Sequence, residues 1–341
     1  MANTERLTLL SSSPHLYAKA DARRLMANVL MALAPAALFG VVIYGLPALF
    51  TIVVSIVAAI AADAGFRVII KRKPSTGDLS AVVTGLLLAL VLPPSTPLWM
   101  TALGSVFAIV VAKEFFGGLG GNVFNPALIG RAFMLMSFPA AITTWHRPGG
   151  FAALTDATTT ATPLNIIKLG GSMADVGRNF VDSGLASGAD YAAVLKTLFI
   201  GNRAGCIGES SILLILAGGV FLLLTRTIDW RTPVSMIVVA FAASWALGMD
   251  PVFGILSGGL VFGAVFMVTD YVSTPVTATG KLIFGAGAGL MSVLIRKYGG
   301  YPEGVSYGIL IMNCATPFLD KLIRTKYGYV APVKAKKEAA K

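Results

Sequence analysis

Apolar residues in this chain run in blocks that approach the ~20 residues needed to cross a bilayer as a helix, punctuated by short breaks rich in glycine and proline. The first series comprises Leu25–Tyr44, Pro47–Phe66, Leu79–Leu92, Leu98–Lys113 and Pro126–Phe138. A long polar stretch, residues 139–209, interrupts the pattern. The second series comprises Ser210–Thr225, Pro233–Leu247, Pro251–Thr269, Leu282–Ile295 and Val305–Ile323. Hydropathy and breakers together predict an all-α integral membrane protein with about ten transmembrane helices, some of them short or broken. The organisation that follows is a cytoplasmic N-terminal segment (1–24), a first half (25–138), a connecting loop (139–209), a second half (210–323) and a basic tail (324–341).

Composition supports lipid as the solvent. The chain has 341 residues, 56% hydrophobic and 13% charged, whereas soluble domains carry about 25% charged residues. Its 37 glycines suit close helix packing in lipid. Residues 1–20 are polar and precede any apolar core, so the first span is expected to remain in place as its own insertion signal. Cys206 and Cys314 stand alone without CxxC spacing, and His15 and His146 are distant in sequence, so no metal site is expected.

A net charge of +11 raises the possibility of nucleic acid, but its distribution reads as topology. Lys19, Arg23 and Arg24 precede the first span; Arg67, Lys71, Arg72 and Lys73 follow the second; Lys113 follows the fourth. Arg226 and Arg231 follow the sixth, Lys281 follows the eighth, and Lys321, Arg324, Lys326, Lys334, Lys336, Lys337 and Lys341 lie at the end. All of these share one side if every span crosses, and basic residues favour the cytoplasm. Both termini are therefore expected inside and residues 139–209 outside. Arg296 and Lys297, between the ninth and tenth spans, are the exception. The two halves then enter the membrane from opposite sides, as inverted repeats do. Weak echoes agree: Gly77-Asp78 and Gly248-Met249-Asp250 precede the third and eighth spans, Pro93-Pro94 and Pro275 end them, and Asn125-Pro126 in the fifth is answered by Asn313 and Thr316-Pro317 in the tenth.

The polar stretch contains Asp156–Leu164, DATTTATPL. Pro163 fixes its own φ and biases Thr162 toward an extended backbone, which is expected to present the hydroxyl outward. The pattern resembles the flavinylation motif in which a flavin transferase joins FMN through its phosphate to a threonine. Gly117–Phe133 (GGLGGNVFNPALIGRAF), Ser80–Trp99, Met267–Thr277, Tyr307–Ile323 and Ser11–Ala36 are similar to stretches of one membrane-protein family. That family is shared by RnfD of the Rnf complex and the corresponding subunit of the Na⁺-translocating NADH:quinone reductase. Together the stretches cover most of the chain, and its shorter amino-terminal part favours the RnfD branch. Where many members have glycine in the motif, this chain has Thr160.

The resemblance implies an electron-transfer subunit of an ion-translocating ferredoxin:NAD⁺ oxidoreductase in a bacterial or archaeal cytoplasmic membrane, moving Na⁺ or H⁺. It implies FMN on Thr162, a non-covalent riboflavin on the cytoplasmic side, partner subunits carrying the iron–sulfur and further flavin centres, and a maturing flavin transferase. Ala161 belongs to the motif beside the acceptor. Asp156 structures the turn or is read by the transferase, with a simple turn or cap as the plainer role. Arg131, a charge inside a predicted span, is a functional-site candidate able to neutralise a flavin phosphate or reduced flavin; snorkelling is the alternative. Asn125 and Asn313 place amides at helix breaks, where a flavin edge could be bonded. Asp270 lines a cofactor or ion site or simply ends a helix in water. No Gly-rich dinucleotide fingerprint or cysteine cluster is present, which assigns NAD⁺, ferredoxin and clusters to partners. A channel or secondary transporter without redox function explains the same membrane plan but not the threonine motif.

The topology has a direct test. Gly150→Cys is expected to react with an impermeant thiol reagent added from outside, and Arg72→Cys to be protected. Equal labelling from the cytoplasm contradicts the arrangement.

Overall fold

The computed structural model describes residues 21–72, 76–149, 160–186, 188–301 and 303–323. The terminal segments, as far as residue 20 and from residue 324, lie outside the described residues, as does Asp156. Among the described residues the architecture is helical, without strands. Helices α1 (Ala22–Tyr44), α2 (Leu46–Ile69), α3 (Ser80–Leu90), α4 (Leu98–Val110) and α5 (Pro126–Ser137) form the first half. After the short α6 (Pro139–Ile142), the connection contains α7 (Pro163–Lys168), α8 (Met173–Asp182) and α9 (Tyr191–Ile200). The second half follows as α10 (Ile212–Leu224), α11 (Arg231–Ala246), α12 (Pro251–Leu256), α13 (Leu260–Phe262), α14 (Ala278–Tyr298) and α15 (Val305–Ile323). Among the described residues, four segments are long and apolar enough to cross a bilayer: Ala22–Tyr44, Leu46–Ile69, Leu98–Phe116 and Ala278–Tyr298. Leu38, Val57 and Leu224 are exposed, as expected of helices whose outer face meets lipid rather than water.

Each group of helices packs around one long member. Helix α2 packs on α4 and α4 on α5; likewise α11 packs on α14 and α14 on α15. The halves meet through α1 against α10 and α5 against α15. Close approach depends on small residues. A Cβ on Gly85 of α3 would lie 2.9 Å from the Ile56 Cα, so Gly85 is a packing residue. There the Ser55 hydroxyl donates to the Gly85 carbonyl at 2.6 Å and lies 2.9 Å from the Ser105 hydroxyl. These buried bonds join α2, α3 and α4.

Three features add to the sequence expectation. Lys113, read as a cytoplasmic flag, is buried: its Nζ donates to Asp63 Oδ1 and Ser80 Oγ, both at 2.8 Å. The described residues of the polar stretch fold into short helices with a small core of their own. Val176 and Phe180 on α8 face Val194 and Leu198 on α9, each pair at helical i, i+4 spacing, with Phe253 beneath. The span Pro251–Thr269 is one of the expected broken helices, and the structure shows where it breaks. Gly258 takes φ +64°, and a π-helical turn occupies Gly263–Met267. The break frees carbonyls that lipid cannot satisfy. Arg203 donates to the Leu256 and Gly258 carbonyls, at 2.5 and 3.3 Å, while Arg296 donates to those of Gly254 and Ser257. Two guanidiniums thus replace the missing helical donors.

Candidate functional site

Arg131 is built into the interior of α5 and is 6% exposed. It does not snorkel. Its NH2 pairs with Glu303 and lies 3.7 Å from Cys206 Sγ, and its NH1 lies 3.9 Å from Glu209 Oε1. An isolated charge in this setting would cost several kcal/mol, so carboxylates gathered around it are a condition of its burial. Cys206, Glu209 and Glu303 present ligand-type atoms within 4.8 Å of one another, and the cation among them is the Arg131 guanidinium. Burial pushes the Cys206 thiol well up, and its Sγ donates to the Val91 carbonyl at 3.1 Å. Arg203 is also buried; besides the helix break it holds the Glu209 carbonyl at 2.8 Å.

Thr162 lies beside this cluster. Its backbone is extended, φ −69° and ψ 150°, as Pro163 at the first helical position requires. Its side chain caps α7, Oγ1 accepting from the Asn165 N–H at 3.2 Å. The hydroxyl is therefore turned inward and Thr162 is 7% exposed, contrary to the expected outward presentation. Local capping wins because the first N–H groups of α7 need an acceptor. Ala161 is half-buried next to it. Glu303 joins the two features. It borders a small void with Thr162, Arg203 and Glu209, and also a cavity of about 260 Å³ with Arg131, Ile142, Trp145 and Tyr301.

Asn125 and Asp270 meet elsewhere, around a narrow cavity of about 70 Å³ that Ser80, Lys113 and Asn122 also line. The Asn125 amide is committed: Oδ1 accepts from the N–H groups of Ala127 and Leu128, and Nδ2 donates to the Met267 carbonyl at 3.3 Å. It caps α5 and ties it to the π-helical turn. Asp270 accepts from the Ser273 hydroxyl at 2.8 Å. Asn313 is not brought to this cavity. It is fully buried on α15, and neither amide atom has a partner among the described residues.

The profile of the NQR2, RnfD, RnfE family matches residues 9–328. The chain is 44% identical over 328 residues to the RnfD subunit of the proton-translocating ferredoxin:NAD(+) oxidoreductase complex of Clostridium ljungdahlii, covering 94% of this chain and 96% of that one. It is 42% identical over 332 residues to the Na(+)-translocating counterpart of Acetobacterium woodii, covering 97% of each. The equivalent subunit of the ion-translocating oxidoreductase complex of Stutzerimonas stutzeri is 36% identical over 325 residues, 89% of this chain and 92% of that one. The chain belongs to the NQR2, RnfD, RnfE family. Within it, these full-length similarities support the RnfD branch, and the apolar helices make the chain a multi-pass membrane protein.

For this family member, sequence reasoning found Arg131 but missed the residues that hold it. Glu209 and Glu303 sit at the ends of polar connections, where a carboxylate looks ordinary. The available signal was Arg131 itself, since a charge inside a span needs a partner. Arg131→Leu strands two carboxylates and is expected to destabilise the protein by about 3–5 kcal/mol. Glu303→Gln keeps an acceptor and is expected to cost about 1–3 kcal/mol. Thermal unfolding in detergent checks both; an Arg131→Leu protein as stable as the parent contradicts the ion-pair reading.

Proposed function

We propose that this chain is the flavin-carrying electron-transfer subunit of an ion-translocating ferredoxin:NAD⁺ oxidoreductase complex in the cytoplasmic membrane, with FMN in phosphoester linkage to Thr162. The observation that carries this reading is the position of Thr162. The motif threonine caps a helix at the edge of a pocket whose shared wall, Glu303, is paired with the intramembrane Arg131. The relatives' names supply the reaction: ferredoxin and NAD⁺ are the partners they specify, with a proton in one and sodium in the other. This chain's ion is one of these two.

The residues fit such a group in chemistry, and their cavity of about 260 Å³ is a little below the ~300 Å³ of small-molecule sites, so it must widen to hold the ring. Trp145 and Tyr301 offer aromatic surface for a ring, and Arg131 and Arg203 offer cations for a phosphate. Attachment by the transferase breaks the phosphoanhydride bond of a flavin dinucleotide donor and forms a P–O bond from the FMN phosphorus to Thr162 Oγ1. The donor's nucleoside monophosphate is the leaving group, and the hydroxyl proton is balanced on it. Thr162 must first release the Asn165 N–H, while Pro163 keeps α7 started because it has no N–H to satisfy. Glu303 opposes a phosphate by like charge, so occupancy requires Arg131 to turn from Glu303 toward the new anion. When bound, FMN supplies one-electron acceptance and donation. Partners carry the remaining centres, and a flavin transferase performs the attachment.

Two further parts of the reading concern the frame. The matched packing of α2–α4–α5 and α11–α14–α15 supports about ten helices in two inverted halves. Basic-residue placement supports cytoplasmic termini and an outer position for residues 139–209. The family resemblance also implies riboflavin on the cytoplasmic side. Asn122, Asn125, Lys113 and Asp270 would supply polar contacts, but their cavity of about 70 Å³ is well below the ~300 Å³ of small-molecule sites. As it stands it does not fit a tricyclic ring.

The test is a denaturing gel of the purified subunit viewed under ultraviolet light, from cells that contain the transferase. The parent band is expected to fluoresce, because a phosphoester survives denaturation. Thr162→Ala should be dark, and removal of the cap should cost about 1 kcal/mol. Thr162→Asn separates these effects: it restores a capping oxygen but has no hydroxyl, so it should be dark at near-parental stability. Thr162→Ser should retain fluorescence. A dark parent band, or a fluorescent Thr162→Asn, overturns the reading.

A further inference from the structure

Arg296 and Lys297 break the positive-inside pattern, and the electron-transfer reading gives them no task. Both lie at the C-terminal end of α14, where they line a cavity of about 490 Å³ together with Lys168. None of the three cations has a carboxylate within 4.0 Å among the described residues. Each instead directs donors to backbone carbonyls. Lys168 Nζ reaches those of Arg296 and Gly299 at 2.6 and 2.5 Å; Lys297 Nζ reaches that of Leu247; Arg296 reaches those of Gly254 and Ser257. An ammonium has three donors and a guanidinium five, so capacity is left over. Arg296 is 7% exposed, yet its Nε–H has no partner among the described residues.

The lining carboxylate is already occupied. Asp250 Oδ2 accepts from the Tyr191 hydroxyl at 2.8 Å, and Oδ1 accepts from the N–H groups of Val252 and Phe253, both at 3.0 Å. The cavity therefore carries an excess of two positive charges over its wall residues, three cations against one anion. Helix C-termini absorb part of this excess, each acting as roughly half a negative charge, but they supply no formal anion.

Depth in the membrane identifies the anion. Trp245, near the end of α11, is 75% exposed, and Tyr298, at the end of α14, is 71% exposed. Exposed Trp and Tyr at helix ends mark the headgroup level. The remaining wall includes Ile167, Met173, Met249 and Phe253, apolar surface that suits a glycerol backbone and the start of an acyl chain and is wasted on a free phosphate. We propose that this cavity binds the phosphodiester headgroup of an anionic phospholipid, with Lys168, Arg296 and Lys297 around its oxygens. The assignment is independent of the flavin.

Full-length protein in detergent is titrated with phosphatidylglycerol, phosphatidylcholine and soluble glycerol phosphate, with binding read by native mass spectrometry. One tightly held phosphatidylglycerol is expected, with phosphatidylcholine weaker and glycerol phosphate not retained. Each lysine at a membrane surface contributes a factor of about five. Lys297→Gln, altering an exposed side chain, should weaken phosphatidylglycerol about fivefold, and Lys168→Gln/Lys297→Gln about 30-fold. Lys321→Gln, at the far end of α15, should change nothing. Unchanged affinity in Lys297→Gln, equal retention of phosphatidylcholine, or glycerol phosphate bound as tightly as the lipid overturns the proposal.

Discussion

The burial of Arg131 constrains the rest of this structure more than any other single interaction. A guanidinium inside a helix bundle is tolerated only when carboxylates approach it, and the two that do come from distant parts of the chain. Glu303 is 172 positions away along the sequence. Satisfying one charge on α5 therefore fixes the approach to α10, which Glu209 precedes, and to α15, which Glu303 precedes. The Thr162 void and the Trp145–Tyr301 cavity exist on either side of that pairing. A second set, Asp63, Lys113, Glu114 and Arg67, does the same for α2 and α4: Arg67 is bidentate to Glu114 at 3.1 Å. In both places the low dielectric strengthens the pairing and makes an unpaired charge expensive.

Much of the fold was legible because lipid imposes simple rules on sequence. The long apolar blocks became α1, α2, α4 and α14, and Asn125-Pro126 marked the start of α5, where the amide is the cap. What escaped reading involved compensation through space. The break at Gly258 needed Arg203 and Arg296 to satisfy its carbonyls, and neither arginine announces that task from its own neighbourhood. Lys113 looked like a topological flag because its partner, Asp63, lies on another helix. The 139–209 stretch looked like a loop because its apolar pairs, Val176 with Phe180 and Val194 with Leu198, are too sparse to register as a block.

The candidate site divides similarly. Thr162 and Arg131 were visible from motif and cost, and the structure brings them to opposite sides of Glu303. Asn125 and Asp270 share a different cavity, and Asn313 joins neither. The Thr162 hydroxyl is engaged as a helix cap and buried, so the proposed attachment would require the first turn of α7 to open. Asp156, six positions before Thr162 in the sequence, lies outside the described residues.

Peptide mapping by mass spectrometry, on the subunit purified from transferase-containing cells, tests most directly whether Thr162 and no neighbouring threonine carries the flavin. FMN mass is predicted on Thr162 alone, with Thr155, Thr158, Thr159 and Thr160 unmodified. FMN on Thr159 or Thr160, or a peptide without flavin, contradicts that assignment.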